Sequence, residues 1–168
     1  MNGNSPPETA YGDLLFAALP VGVVFQDGVG RITAANPAAE RILGLSLDQM
    51  LGLTSASPDW HAIHEDGSPF DGREHPAMRV LGSGEPVLAT VMGVCTGAAR
   101  AVTWIRISSF PIRGRGDQAL TGVYSLFEDI SQERLAQSRG QQSESRYRAL
   151  YEAMSEGVAI HELLVDAQ

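Results

Sequence analysis

The residues with the most chemistry to offer cluster in the middle of the chain. His61 and His64 stand three positions apart, and Glu65 and Asp66 follow at once. Two imidazoles beside carboxylates are a donor set that metal sites use. The segment has no cysteine and no third ligand at a matching spacing, and Ser, Pro, Asp and Gly dominate it. It reads as a solvated polar loop. His75 stands just before the apolar run from Pro76 to Leu81, which contains Arg79. Cys95 is the single cysteine, so no internal disulfide can form, which fits a reducing cytosol. It lies in a β-branched stretch and reads as a small packing residue.

Catalysis finds no support among these residues. There is no Gly-x-Ser-x-Gly elbow and no His-Glu-x-x-His helix. All twelve basic residues are Arg, and Lys is absent. That removes Schiff-base chemistry, the P-loop lysine and the protein-kinase lysine together. The expectation is a chain that is not an enzyme.

Composition narrows the class further. The chain has 168 residues, of which 43% are apolar, enough for one domain with a proper core plus additional material. A net charge of −8 argues against binding a phosphate backbone, which calls for a basic footprint. The stretch MNGNSPPETAYG has no basic n-region and no apolar h-region, so it does not read as a signal peptide. The most apolar run, Leu14 to Phe25, is interrupted by Pro20 and too short to span a bilayer. The reading is a soluble, cytoplasmic protein with no membrane segment and no nucleic-acid partner.

The elements that must position any site are organised around LPVGVVFQDGVGRITAAN, Leu19 to Asn36. Two β-branched runs, Val21–Phe25 and Arg31–Ala34, flank Asp27-Gly28-Val29-Gly30, the pattern of a tight hairpin. Asn36-Pro37 then supplies an N-cap and a first helical residue, and the following helix closes at Gly44. Upstream, residues 1–12 read as a flexible lead-in, and Asp13 as the cap of a short apolar turn. Downstream, Ser46 and Gln49 form a capping box for a second short helix. Thr54 to Arg73 resists assignment, with Trp60, Ile63 and Phe70 as isolated apolar anchors. Pro76 to Leu81 predicts a helix ended by Gly82 and Gly84. Pro86–Cys95, Ala101–Ile112 and Leu120–Glu128 predict three strands joined by glycine-rich turns. In the second of these, Thr103, Ile105 and Ile107 share one face, opposite Val102, Trp104, Arg106 and Ser108. Asp129 to Arg148 predicts a helix with no clean heptad seam.

This order, with Gly22, Asp27, Gly30 and Asn36-Pro37-Ala38 at these spacings, resembles the opening of a PAS domain. Glu65-Asp66-Gly67, the Gly82-x-Gly84-Glu85-Pro86-Val87 turn and Asp129-Ile130-Ser131 extend the resemblance over Asp13 to about Ser131. The family usually closes on Asp-Ile-Thr, and Ser131 keeps the hydroxyl. The resemblance implies an α+β fold with a five-stranded antiparallel sheet, order 2-1-5-4-3, short helices on one face and a C-terminal linker helix over 132–148. It also implies a cavity between sheet and helices. Phe25, Ile42, Trp60, Met78, Leu81, Ile105, Ile107, Val123 and Phe127 are the apolar candidates to line it, with a closed core as the alternative. His75, Arg79 and Ser125 are the polar candidates to orient a ligand. Haem-binding relatives use a helical histidine in this region, and His75 is the candidate, but it stands at the helix start. The cysteine motif of flavin-binding LOV domains is absent, so flavin and haem are both disfavoured and the cofactor stays open.

The implied role is a sensory module that binds a small molecule or partner domain and relays the change through its exit helix. Its output would be a histidine kinase or a cyclic-dinucleotide enzyme elsewhere on the same polypeptide, with the module a homodimer. The alternative is a ligand-free dimerisation module. An internal repeat points the same way: LFAALPVGVVFQD from Leu15 aligns without gaps on LYEAMSEGVAIHE from Leu150. Residues 149–168 are therefore expected to begin a second, truncated PAS repeat.

Overall fold

The computed structural model describes residues 8–55, 57, 60–95, 101–114 and 119–139. The chain divides into two compact units, Met1–Ile130 and Ser131–Gln168.

Helix α1, Glu8–Ala18, opens the first unit. It begins upstream of the expected position, so residues 8–12 of the expected lead-in are helical and Asp13 falls inside the helix rather than capping it. The hairpin follows as β1, Gly22–Asp27, and β2, Ile32–Ala35. Asp27 organises its turn by accepting hydrogen bonds from the amides of Val29 and Arg31 at 3.0 and 2.9 Å. Gly30 takes φ +86°, a left-handed conformation that a residue with a side chain rarely adopts.

Asn36 joins the hairpin to α2, Pro37–Leu43. The residue is fully buried. Its Oδ1 accepts from Ala39 N, capping the helix, and from Val23 N, each at 2.9 Å. Its Nδ2 donates to the carbonyls of Phe16 and Val21 at 3.2 and 2.9 Å. One amide side chain thus ties α1, β1 and α2 together. Gly44 ends α2 in the left-handed region, as a C-terminal glycine does. The Ser46–Gln49 capping box starts α3, Leu47–Met50.

A strand that sequence reading missed comes next: β3, His61–Ile63. Asp71 then caps a single 3-10 turn, Gly72–Glu74, which delivers His75 to the head of α4, Pro76–Ser83. The remaining strands are β4, Val87–Cys95; β5, Val102–Arg113; and β6, Leu120–Asp129.

The sheet is fully antiparallel, in the order β2-β1-β6-β5-β4-β3. Without β3 this is the expected 2-1-5-4-3 order. The additional strand extends the sheet from five to six by pairing His61–Ile63 with Gly93–Cys95. Three residues are too short for an alternation pattern to show, so only the partner edge reveals it.

Alternation along β1, β5 and β6 turns Val24, Ile105 and Phe127 toward α2 and α3, where they pack with Leu43 and Met50. A smaller cluster joins Ala77 and Val80 of α4 to Val123. Ile105, Met50 and Val80 are fully buried, each contributing about 1.5–3 kcal/mol of transfer free energy. On the opposite face, Phe110, Tyr124 and Phe25 form a ladder across β5, β6 and β1, with ring centroids 5.1 and 6.1 Å apart.

Residues 131–139 form a helix in the second unit. The rest of the expected linker helix and the expected second repeat over 149–168 lie outside the described residues. Among the described residues no helix is long and apolar enough to cross a membrane.

Candidate functional site

Between the inner face of the sheet and the segment from α2 to α4 lies a cavity of about 50 Å³. Strands supply one wall: Val24 and Gln26 of β1, Ile32 of β2, Met92 of β4, Ile105 and Ile107 of β5, and Ser125 and Phe127 of β6. Leu43, Thr54, Ser55 and Trp60 supply another, and His75, Pro76 and Ala77 close it at the head of α4. Most of the lining is apolar, and among the described residues no charged side chain takes part.

Three polar side chains in the wall are almost completely buried: His75 at 4%, Gln26 at 7% and Ser125 at 3% exposure. Each is anchored. Gln26 donates from Nε2 to the Gly30 carbonyl at 2.9 Å, in the turn of its own hairpin. Ser125 shares a 2.8 Å hydroxyl contact with Ser109, its cross-strand neighbour. His75 Nε2 lies 3.2 Å from the Phe70 carbonyl. Because a carbonyl only accepts, the proton of the neutral ring sits on Nε2.

His75 is also held by ring contacts. Phe70 meets it edge-on at 4.9 Å and stacks on His64 at 4.0 Å. Burial pushes the His75 pKa down, the Phe70 carbonyl and the Asp71 charge oppose that, and His64 reinforces it. Burial is the largest cause, so the neutral ring is favoured. Upstream, the Arg73 guanidinium hydrogen-bonds Asp71 at 2.8 Å and holds its carboxyl down at about 2. That exposed pair, with Asp71 capping the turn, shapes the approach to His75.

Of the residues singled out from sequence, Trp60, His75, Ile105, Ile107, Ser125 and Phe127 come together on the cavity wall. Phe25, Ile42, Met78 and Arg79 do not. Phe25 lies between Val24 and Gln26, so strand alternation turns it to the other face, where it packs on Phe16 at 5.8 Å. Ile42 packs at the margin of the main core. The buried stripe of α4 is Pro76, Ala77 and Val80, which leaves Arg79 exposed. Met78 is turned toward Gly30, where its sulfur would lie 2.7 Å from an added Cβ. Leu81 and Val123 belong to the smaller cluster.

Sequence reading overlooked Gln26, and its signal was available. A glutamine at the same parity as Val24 in an apolar strand is a buried polar group that needs partners. Thr54, Ser55 and Met92 had no such signal, because loop conformation and cross-sheet register bring them in.

The imidazoles and carboxylates weighed as metal donors in the sequence do not gather into a site among the described residues. His61 is exposed on β3, and His64 is occupied by the Phe70 stack. Among the described residues no three His, Cys, Asp or Glu side chains gather as metal ligands. A haem or flavin fits this cavity poorly, since drug-sized ligands occupy about 300–1,000 Å³.

Fold and site define a class: an α+β module whose antiparallel sheet is covered on one face by short helices over a small, mostly apolar cavity. The family described as PAS fold matches residues 16–135, and the chain belongs to it. Solved structures agree on the fold. The PAS domain of a Colwellia psychrerythraea protein is similar at a TM-score of 0.58 and 18% identity, covering 75% of this chain and 99% of that one. The PAS domain of an HTR-like protein from Haloarcula marismortui is similar at 0.54 and 13%, covering 73% and 91%. That of nitrogen regulation protein NR(II) from Vibrio parahaemolyticus is similar at 0.52 and 12%, covering 71% and 97%. No curated protein sequence matches the chain.

Proposed function

We propose that this PAS domain is a cytoplasmic sensory module whose cavity takes a small molecule. Trp60, His75, Ile105, Ile107, Ser125 and Phe127 would be its main contacts. The supporting observation is the placement of Ser125 and Phe127: both line the cavity from β6, the strand that leads through Ile130 into the helix over 131–139. A ligand that favours one arrangement of β6 would bias whatever follows along the chain, provided it binds two arrangements unequally. The output would be a histidine kinase or a cyclic-dinucleotide enzyme on the same polypeptide, and the module would work as a homodimer. Two of the similar structures are PAS domains of a nitrogen regulation protein and of an HTR-like protein.

Native mass spectrometry of the purified protein, compared with its denatured mass, tests the binding step. Retained mass that leaves on denaturation supports it. Arg134→Pro would break the helix over 131–139 and should uncouple ligand from output. Unchanged regulation in the full-length protein would refute the relay.

A ligand-free dimerisation module is the second reading, favoured by the outward apolar side chains of α1. Leu14 is 64% and Leu15 67% exposed, more than a solitary helix face needs to show. The two readings part at Ile105→Ala. The change costs about 2–5 kcal/mol under either, but alters signalling beyond that loss only if the cavity is the sensor.

A further inference from the structure

The hydrogen-bonding inventory of the cavity wall says what kind of molecule it suits. With Nε2 of His75 committed to the Phe70 carbonyl, Nδ1 carries a lone pair and no proton. His75 is the N-cap residue of α4, yet its side chain makes no capping hydrogen bond. No described residue donates to Nδ1. Gln26 shows the same pattern: Nε2 is spent on Gly30, while Oε1 has no donor among the described residues. Yet no fully enclosed side-chain nitrogen or oxygen among the described residues lacks a partner. Nδ1 and Oε1 therefore border open space, and the space their side chains line in common is the cavity. The Ser125 hydroxyl is already shared with Ser109. The wall thus offers two unspent acceptors beside the hydroxyl and indole N–H groups of Thr54, Ser55 and Trp60, with no charged side chain among the described residues and an apolar remainder.

Size sets the second limit. One water needs about 10–15 Å³, so 50 Å³ has room for about three to five waters or a molecule of similar size.

We propose that the cavity binds an uncharged molecule of about three to five heavy atoms carrying an O–H or N–H donor, with Nδ1 of His75 accepting its hydrogen bond. A short alcohol or a small primary amide has this chemistry. A carboxylate does not, because its charge would be buried without a counter-ion and its oxygens would meet the Nδ1 lone pair. An ether of equal size does not either, having no donor. Protonation of the ring would reverse the preference. The charged groups facing it are Asp71, which favours protonation, and His64, which opposes it. The proposal rests on the cavity being the sensory site, and its test is built so that the two can fail separately.

The 168-residue chain, labelled with ¹⁵N, is titrated near neutral pH with 1-propanol, with its isomer methoxyethane and with propionate. A ligand this small binds at tens of micromolar at the very tightest, so titrations extend into the millimolar range. The expected result is saturable shifts at the amides of His75, Ser125 and Phe127 with 1-propanol. The Nδ1 resonance of His75 should move upfield as it accepts a hydrogen bond. Methoxyethane should bind about tenfold more weakly, the worth of one buried hydrogen bond, and propionate should not saturate. Equal binding of the ether, an unmoved Nδ1 signal, or no saturation by 1-propanol each overturns the assignment. His75→Phe supplies a further check, but the comparison of isomers needs no variant and survives a failure of that one to fold. If 1-propanol fails while native mass spectrometry finds a larger or acidic retained molecule, this ligand class falls and the sensory reading stands. If Ile105→Ala leaves signalling intact, the sensory reading falls with it.

Discussion

Replacing Asn36 with Ala should unseat the joint between α1, β1 and α2. The truncation removes four hydrogen bonds at once: those from Val23 N and Ala39 N to Oδ1, and those from Nδ2 to the carbonyls of Phe16 and Val21. Loss of the helix cap alone costs about 1 kcal/mol. The site is fully buried, so each backbone group left without a partner adds about 1–3 kcal/mol before relaxation. Allowing water to reach some of them, the total is about 3–5 kcal/mol, a large share of the ~5–15 kcal/mol that holds a domain together. For a unit of this size that lowers Tm by roughly 10–20 °C. Asn36→Asp makes the argument sharper. Its carboxylate still accepts from Val23 and Ala39, but presents an oxygen where the carbonyls of Phe16 and Val21 need a donor. The protonated acid restores that donor, and full burial together with the two carbonyls outweighs the two amide donors that favour the carboxylate, so the folded-state pKa is expected above the unfolded value of about 3.9. Stability of this variant is then greatest at acid pH and is lost as pH rises through the folded pKa. Urea melts of both variants between about pH 4 and 8 decide the matter. An Asn36→Ala deficit below about 1 kcal/mol, or an Asn36→Asp deficit that does not vary with pH, would show that the joint is held by something else.

Three further outcomes follow from the same structure. A Cβ at Gly22 would clash with the edge of the Phe127 ring, so Gly22→Ala should cost about 1–3 kcal/mol and displace a cavity-lining ring, read by thermal melting and by Phe127 chemical shifts. Ala89 holds φ +50° at the bulge between β4 and β5. Ala89→Gly should therefore stabilise by about 0.5 kcal/mol, strain relief outweighing the entropy of glycine, and a destabilised variant would contradict this. For His75, burial lowers the folded-state pKa below the ordinary 6.5, so between those two values the unfolded chain binds more protons. Its contribution is complete above about 6.5 and is lost as pH falls toward the folded pKa. The slope of stability against pH over that interval should vanish in His75→Phe, measured by denaturant melts.

Much of this was legible without coordinates, for reasons that are local. Asp27 and Gly30 mark their turn by side-chain acceptors and a left-handed φ, and Asn36-Pro37 and Ser46-x-x-Gln49 announce helix starts by the amides they satisfy. The alternation of Thr103, Ile105 and Ile107 against Trp104 and Arg106 gave the inward face of β5 before any neighbour was known. Where such signals are missing, reading failed. β3 is three residues long and exists because Gly93–Cys95 offers a free edge, which no pattern within His61–Ile63 encodes. Phe25 illustrates a different failure. It stands among the apolar candidates for the lining, although its own alternation with Val24 and Gln26 sets it facing away.

By itself, then, the amino-acid sequence determined most of the elements, their order and the alternation of the long strands, because turns, caps and alternation act over a few residues. It also set the charge and chemistry available. Only the tertiary structure decided that the sheet has six strands and that His75 from the head of α4, Gln26 from β1 and Ser125 from β6 face one small space. Those residues are far apart along the chain, and their meeting depends on strand register and on how α4 seats against the sheet. The same is true of the His75 tautomer, which is set by a carbonyl of Phe70 that a 3-10 turn happens to place within 3.2 Å.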